Sequence, residues 1–281
     1  MASDAADLRA EWLAAEIAGK SSRKKYWRSA LSACGEKTPV LLFGDSIFSG
    51  EVEFQRCTGG VPAVFLPVVF PEVGLNRLFE ASGKPLFALH AGSPDDGDAV
   101  EALFDLIGER EEIRFVIQDS GPRPLTVQTL SALVAMRLGR LTDLSARGLV
   151  LTSATSSAVA ARFDWSRPIS DDRQSANDAV MSVARERDVP CLDFARLMRE
   201  LGNEFGDAAL FQADGVHLSL AGRLVLIGAV FRGLTGDMPA LERLAAELAE
   251  GWSQARTDEA LSATELSGFA RRAAQMIGAM G

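Results

Sequence analysis

Five short apolar runs, at Val40–Phe43, Leu86–Leu89, Ile113–Ile117, Leu149–Thr152 and Val189–Phe194, constrain the fold of this chain more than any other feature. Runs that are apolar at successive positions, rather than alternate ones, suit strands covered on both faces, as in a parallel sheet. Between them the apolar residues return every three or four positions. Ala99, Val100, Leu103, Phe104, Leu106 and Ile107 do so over one stretch, and Leu130, Leu133, Val134, Leu138, Leu141 and Leu144 over another. A third helix is predicted from Asn177 to Arg187, with Val180, Met181 and Ala184 on one face. A fourth is predicted from Leu220 to about Phe231, with Ser219 as its cap. Strands alternating with helices run parallel and are joined by right-handed crossovers. The expected fold is therefore α/β, a three-layer flavodoxin-like sandwich around a five-stranded parallel sheet.

Helical extensions are expected on both flanks. Residues 4–33 read as helical, with Leu8, Trp12, Leu13 and Ile17 as a partial apolar stripe. Toward the other end Leu241, Leu244, Leu248 and Trp252 are spaced three, four and four apart. Ser262-Ala263-Thr264-Glu265 has the form of a capping box ahead of Leu266 and Phe269. The predicted organisation is an N-terminal extension over 1–37, a main domain over 38–235 and a C-terminal extension over 236–281. The stripes are expected to pack on the sandwich, with self-association as a homo-oligomer through the terminal helices as the alternative.

A chain of 281 residues that is 47% hydrophobic and 24% charged can bury a substantial core. Its net charge of −9 argues against a nucleic-acid partner, which selects a basic footprint. The basic cluster Lys20, Arg23, Lys24, Lys25 and Arg28 reads as a solvated helix face. Cys34, Cys57 and Cys191 are odd in number and form no CxxC, so neither a disulfide framework nor a zinc site is expected. The first residues lack the basic and apolar regions of a secretory signal. The longest apolar run, Val61–Phe70, carries Pro62 and Pro67 and falls short of the ~18 residues a membrane span needs. The expectation is a cytoplasmic protein with no membrane span, no metal and no cofactor.

Two short motifs carry the chemistry. Gly44-Asp45-Ser46 directly follows the first apolar run, which places Ser46 at the carboxyl end of a buried strand, where functional residues of an open parallel sheet collect. His217, one of two histidines, lies in Asp214-Gly215-Val216-His217 just before the Leu220 helix. An imidazole can take a proton from a serine hydroxyl and return it to a leaving group, and an acid three residues away can orient the ring. Ser46, His217 and Asp214 are thus the parts needed for acyl transfer through a serine ester. No G-x-S-x-G occurs, which weighs against an α/β-hydrolase elbow. A cysteine–histidine pairing of Cys57 with His90 has no comparable context.

Gly-Asp-Ser together with Asp-Gly-Val-His-Leu-Ser-Leu-Ala-Gly resembles the first and last blocks of the GDSL, or SGNH, esterase superfamily. The resemblance covers about residues 38 to 233. It implies a flavodoxin-like fold and metal-free hydrolysis of small-molecule or carbohydrate esters of acetyl or another small acyl group, with Ser46, Asp214 and His217 catalytic. It also implies an oxyanion hole built from the Ser46 N–H, a glycine N–H in a second block and an asparagine in a third. The second block here reads His90-Ala91-Gly92-Ser93-Pro94-Asp95-Asp96-Gly97-Asp98. Gly97 or Gly92 supplies the amide, Gly97 being favoured because it directly precedes a helix; His90 reads as a structural histidine at a strand end. The third block, Gln118-Asp119-Ser120-Gly121-Pro122-Arg123, has no asparagine, and Asn76 and Asn177 lie in other segments. Ser120, Gln118 or Arg123 is left to substitute as donor. Arg162 and Trp165, in the loop after the fourth strand, join Arg123 as candidate substrate contacts. A serine esterase is the expected function. A catalytically silent binding protein of the same fold and an acyltransferase using the same triad are the alternatives.

Overall fold

The computed structural model describes residues 23–44, 48, 65–93, 97–108, 112–118, 127–143, 146–156, 173–251 and 260–280. Five parallel strands form one sheet: β1 (Thr38–Phe43), β2 (Leu86–Gly92), β3 (Ile113–Gln118), β4 (Ala146–Leu151) and β5 (Cys191–Leu192), in the order β2-β1-β3-β4-β5. Among the described residues, the helices of eight or more residues are α1 (Arg23–Cys34), α3 (Pro71–Ala81), α4 (Gly97–Ile107), α5 (Val127–Asp143), α6 (Arg173–Glu186), α7 (Phe194–Phe205), α9 (Leu220–Thr235), α10 (Leu241–Gly251) and α11 (Ala263–Ala279). The short turns are α2 (Leu66–Val69) and α8 (Asp207–Leu210). The expected α/β architecture is present.

The pleat divides the core in two. Val40, Leu42, Leu86, Ala88, Val116, Leu149 and Leu151 face α2, α3, α7 and α9. Leu41, Phe43, Phe87, Leu89, Phe115, Ile117 and Val150 face α1, α4, α5 and α6. Both faces are buried, which is why each strand reads as a continuous apolar run rather than an alternation. From β1 the chain winds one way to β2, and from β2 it turns back across β1 to β3, β4 and β5. Reversing direction while keeping right-handed crossovers puts the first connection on one face and the later ones on the other.

Some boundaries differ from the sequence expectation for local reasons. β5 is two residues long because Asp193, beyond it, accepts a hydrogen bond from the Arg196 N–H and caps α7, so Phe194 begins a helix instead of ending a strand. The proline-bearing stretch before Phe70 leads into α2 and α3, with Pro67 and Pro71 in first turns, where a missing N–H costs nothing. On edge strand β2 the backbone groups of Ala88 and His90 are covered. Asn76 Oδ1 accepts from the Ala88 N–H at 2.7 Å and Asn76 Nδ2 donates to the Ala88 carbonyl at 2.9 Å. The His90 N–H donates to Tyr26 Oη, and Trp27 Nε1 donates to the His90 carbonyl, each at 3.1 Å. Such cover protects an edge from pairing with another chain.

Helix α9 is buried without interruption from Ala221 to Phe231. One side lies on the sheet, where a Cβ on Gly233 would run into Leu149, and the other meets α10 and α11. The stripes Leu241, Leu244, Leu248 and Leu266, Phe269, Ile277 are buried in this same core, and the Ser262–Glu265 capping box forms as read. Trp252 and the Leu8–Ile17 stripe lie outside the described residues. Lys24, Lys25 and Arg28 are exposed on α1.

Candidate active site

The Asp214–His217 motif is the tip of a small hairpin leading into α9. Phe211 and Leu218 form an antiparallel bridge, the Gln212 N–H donates to the His217 carbonyl at 2.8 Å, and the Ser219 N–H donates to the Leu210 carbonyl at 2.9 Å. Gly215 makes the turn at φ 69°, a conformation that favours glycine. Ser219 ends the hairpin and starts the helix. Its Oγ accepts from the Gly222 N–H at 3.0 Å and donates to the Ala209 carbonyl at 2.7 Å. At Gly222 a Cβ would lie 2.1 Å from the Leu210 carbonyl oxygen, so only glycine allows α9 to start this close to the hairpin.

Within that tip the carboxylate is held from two sides. Asp214 Oδ1 accepts from the N–H groups of Val216 and His217, both at 2.9 Å, while Oδ2 lies 2.7 Å from His217 Nδ1. An ionised carboxylate only accepts, so Nδ1 is assigned the proton and Nε2 is the basic nitrogen of the neutral ring. Burial works to raise the Asp214 pKa. The hydrogen bond from the ring and those from the two backbone N–H groups outweigh it and hold the carboxyl below its ordinary value. The pair is partly open to solvent, with 22% of the His217 side chain exposed and 38% of that of Asp214. A reactant can therefore reach the ring.

A second set of bonds fixes this tip over the sheet. The Ser156 N–H, in the chain leaving β4, donates to the Gly215 carbonyl at 2.8 Å. That exit is itself clamped by Asn177 on α6, whose Oδ1 accepts from the Ser153 N–H at 3.1 Å and whose Nδ2 donates to the Ser153 carbonyl at 3.0 Å. Asn177 and Ser153 are both buried. The histidine is thereby placed on the carboxyl side of the strands. No sequence pattern pairs Asn177 with this site, because the residue it contacts lies 24 positions away.

Ser46, Ser120, Arg123, Arg162 and Trp165 lie outside the described residues, as does Cys57. Of the two candidate glycines, Gly97 is the first residue of α4, and Gly92 ends β2 at φ 94° with its carbonyl accepting from the Gly44 N–H at 3.1 Å. His90 is buried at the strand end. Gln118 ends β3 and is 3% exposed. Cys34 is buried and donates to the Lys37 carbonyl. Burial, reinforced by Asp193, pushes the Cys191 thiol up to about 12, which leaves it protonated and a poor nucleophile. Among the described residues no group of three or more His, Cys, Asp or Glu side chains is placed to hold a metal ion, and no helix is long and apolar enough to cross a membrane.

No family model matches the sequence, and no curated protein matches it. Solved structures share its fold. A lipase/acylhydrolase from Enterococcus faecalis superposes with a TM-score of 0.50 at 20% identity, over 71% of this chain and 96% of that one. An acetyl xylan esterase from Geobacillus stearothermophilus does so with a TM-score of 0.50 at 16% identity, over 70% and 94%. A protein described as a GDSL-like lipase, from Parabacteroides merdae ATCC 43184, gives a TM-score of 0.50 at 14% identity, over 71% and 96%.

Proposed function

We propose that this chain, which has the fold of the SGNH or GDSL hydrolases, is a serine esterase that hydrolyses a small acyl ester, with acetyl as the acyl group. One observation carries the reading: His217 is paired with a carboxylate that two backbone N–H groups hold in place, on the carboxyl side of a parallel sheet. Ser46, three residues beyond the end of β1, is the nucleophile. Its Oγ attacks the ester carbonyl carbon while His217 Nε2 takes the hydroxyl proton. The imidazolium so formed keeps its Nδ1–H bond to Asp214, whose charge stabilises it. The N–H groups of Ser46 and Gly97 receive the oxyanion; that of Gly97 is among the N-terminal amides a helix leaves without an intrahelical partner.

Collapse of the tetrahedral intermediate breaks the bond to the alcohol, which leaves with the proton from His217. Water, deprotonated by the same nitrogen, then attacks the acyl-serine and releases the acid. Each step uses protein groups and water alone. Acetyl is proposed because one protein of this fold is an acetyl xylan esterase. A carbohydrate ester would find Arg123, Arg162 and Trp165 as contacts.

The test is a fluorophosphonate probe together with p-nitrophenyl acetate. The wild type is expected to label and to turn over, Ser46→Ala to lose labelling, and His217→Ala to lose at least about 10³-fold in kcat. Labelling that persists in Ser46→Ala, or wild-type turnover in His217→Ala, overturns the mechanism.

A further inference from the structure

Gln118 occupies a position that packing alone does not explain. The connection from β1 runs to β2 on one side, and that from β3 runs to β4 on the other, so the winding direction switches between β1 and β3. Ligands of open parallel sheets bind beyond the carboxyl ends of the strands at such a switch. Gln118 is the carboxyl-terminal residue of β3. It lies two positions after Val116 and shares its face, the face that carries α9 and the His217 hairpin. It is 3% exposed, and among the described residues neither its Nε2 nor its Oε1 has a hydrogen-bond partner.

A buried carboxamide with both ends unpartnered is costly to the fold, and a catalytic role is among the reasons such a group is kept. An apolar side chain would pack there as well, opposite Leu151, its register partner on β4. The carboxamides of Asn76 and Asn177 are already engaged, with Ala88 and with Ser153. Carrying the Phe43–Ile117 pairing one residue further sets Gly44 beside Gln118, at the usual strand separation of about 4.8 Å. Gly44 is two residues before Ser46 in the chain.

We propose that Gln118 is the side-chain oxyanion donor of this site. Its Nε2–H donates to the ester carbonyl oxygen as that oxygen becomes negative, alongside the backbone N–H groups, and supplies from the end of β3 the amide that the asparagine-free segment after it lacks. No bond is made or broken at Gln118. The assignment rests on the esterase reading above.

Gln118→Leu and Gln118→Glu are compared with the wild type and Ser46→Ala, using p-nitrophenyl acetate, fluorophosphonate labelling and thermal melting. Removing one such donor typically lowers kcat by about 10²–10³-fold, with KM changed far less. Gln118→Leu is expected to show that loss while melting no lower than the wild type, because it deletes an unpartnered buried amide. Gln118→Glu, which keeps the shape but brings an anion in place of the donor, is expected to lose at least as much; it carries the test if Gln118→Leu does not fold. A folded variant with kcat within about twofold of the wild type, beside an inactive and unlabelled Ser46→Ala, overturns the donor role and leaves the esterase standing. A wild type that neither labels nor turns over overturns both.

Discussion

At the scale of single residues the site depends on Asp214 remaining an anion. Its Oδ2 holds His217 Nδ1 and its Oδ1 takes two backbone N–H groups. Asp214→Asn keeps the shape, but its amide can present N–H to the ring and favour the wrong tautomer. On the proposed mechanism kcat then falls by about 10⁴-fold, with labelling correspondingly slowed. The same residue gives a pH signature in stability. Its folded pKa is depressed, so the carboxylate contributes stability above its unfolded pKa of about 3.9 and loses it as pH falls through the folded value. Urea denaturation of wild type and Asp214→Asn should show a gap near neutral pH that narrows below about pH 4. A gap that is constant across that range would separate the carboxylate's charge from its role in the hairpin. The acid is partly exposed, so this contribution is small beside its effect on turnover.

At the scale of elements, the hairpin is held to the sheet by a relay from Asn177 through the Ser153 backbone and the Ser156 N–H to the Gly215 carbonyl. Asn177→Ala removes two buried hydrogen bonds to the Ser153 backbone, at about 1 kcal/mol each. A lowered urea midpoint is therefore expected. It should come with a fall in kcat larger than any change in KM, because the relay sets where His217 stands rather than how substrate is held. Asn177→Asp, which keeps the acceptor for the Ser153 N–H, should recover part of both.

This relay also marks where the sequence stops being readable. β1 to β4 announce themselves because residues such as Leu41 and Leu42 are both buried, on opposite faces. The hairpin tip is equally local, since Asp214, Gly215 and His217 sit within one turn. Ser156 and Gly215 are 59 residues apart (215 − 156) and carry no pattern that pairs them. α7 is missing from the sequence expectation, although Phe194, Leu197, Met198 and Leu201 have helical spacing and all are buried. The apolar run ending at Phe194 masked its start, and only the Asp193 cap resolves where strand yields to helix. Gln118 is the opposite case. Its identity is plain in the sequence, but its burial and lack of partners emerge only when the sheet is assembled.

At the scale of the molecule, α9 links the site to the C-terminal helices. A helix buried all round needs cover on every side, and the sheet covers only one. At Gly228 a Cβ would lie 2.7 Å from Leu241 and 3.0 Å from Ile277, so α10 and α11 close directly on the helix. Leu241, Leu244, Leu248, Leu266, Phe269 and Ile277 are all buried there. At about 1.5–3 kcal/mol for each such side chain, removing them forfeits on the order of 10 kcal/mol, as much as a whole domain's net stability. A chain ended after Thr235 is therefore expected not to fold, by circular dichroism and size-exclusion chromatography, although its ends enclose every proposed catalytic residue. The graded form of the test is Phe269→Ala. Phe269 is fully buried and meets the Phe205 ring edge-on, with centroids 5.1 Å apart. Its loss should cost about 3–5 kcal/mol and lower the melting temperature sharply. Well below that temperature the folded protein should keep its kcat, because Phe269 lies in the packing of α11 and α7 whereas His217 is held by the hairpin and the Ser156 bond. A fall in kcat with unchanged melting would instead mean that α11 acts on the site itself.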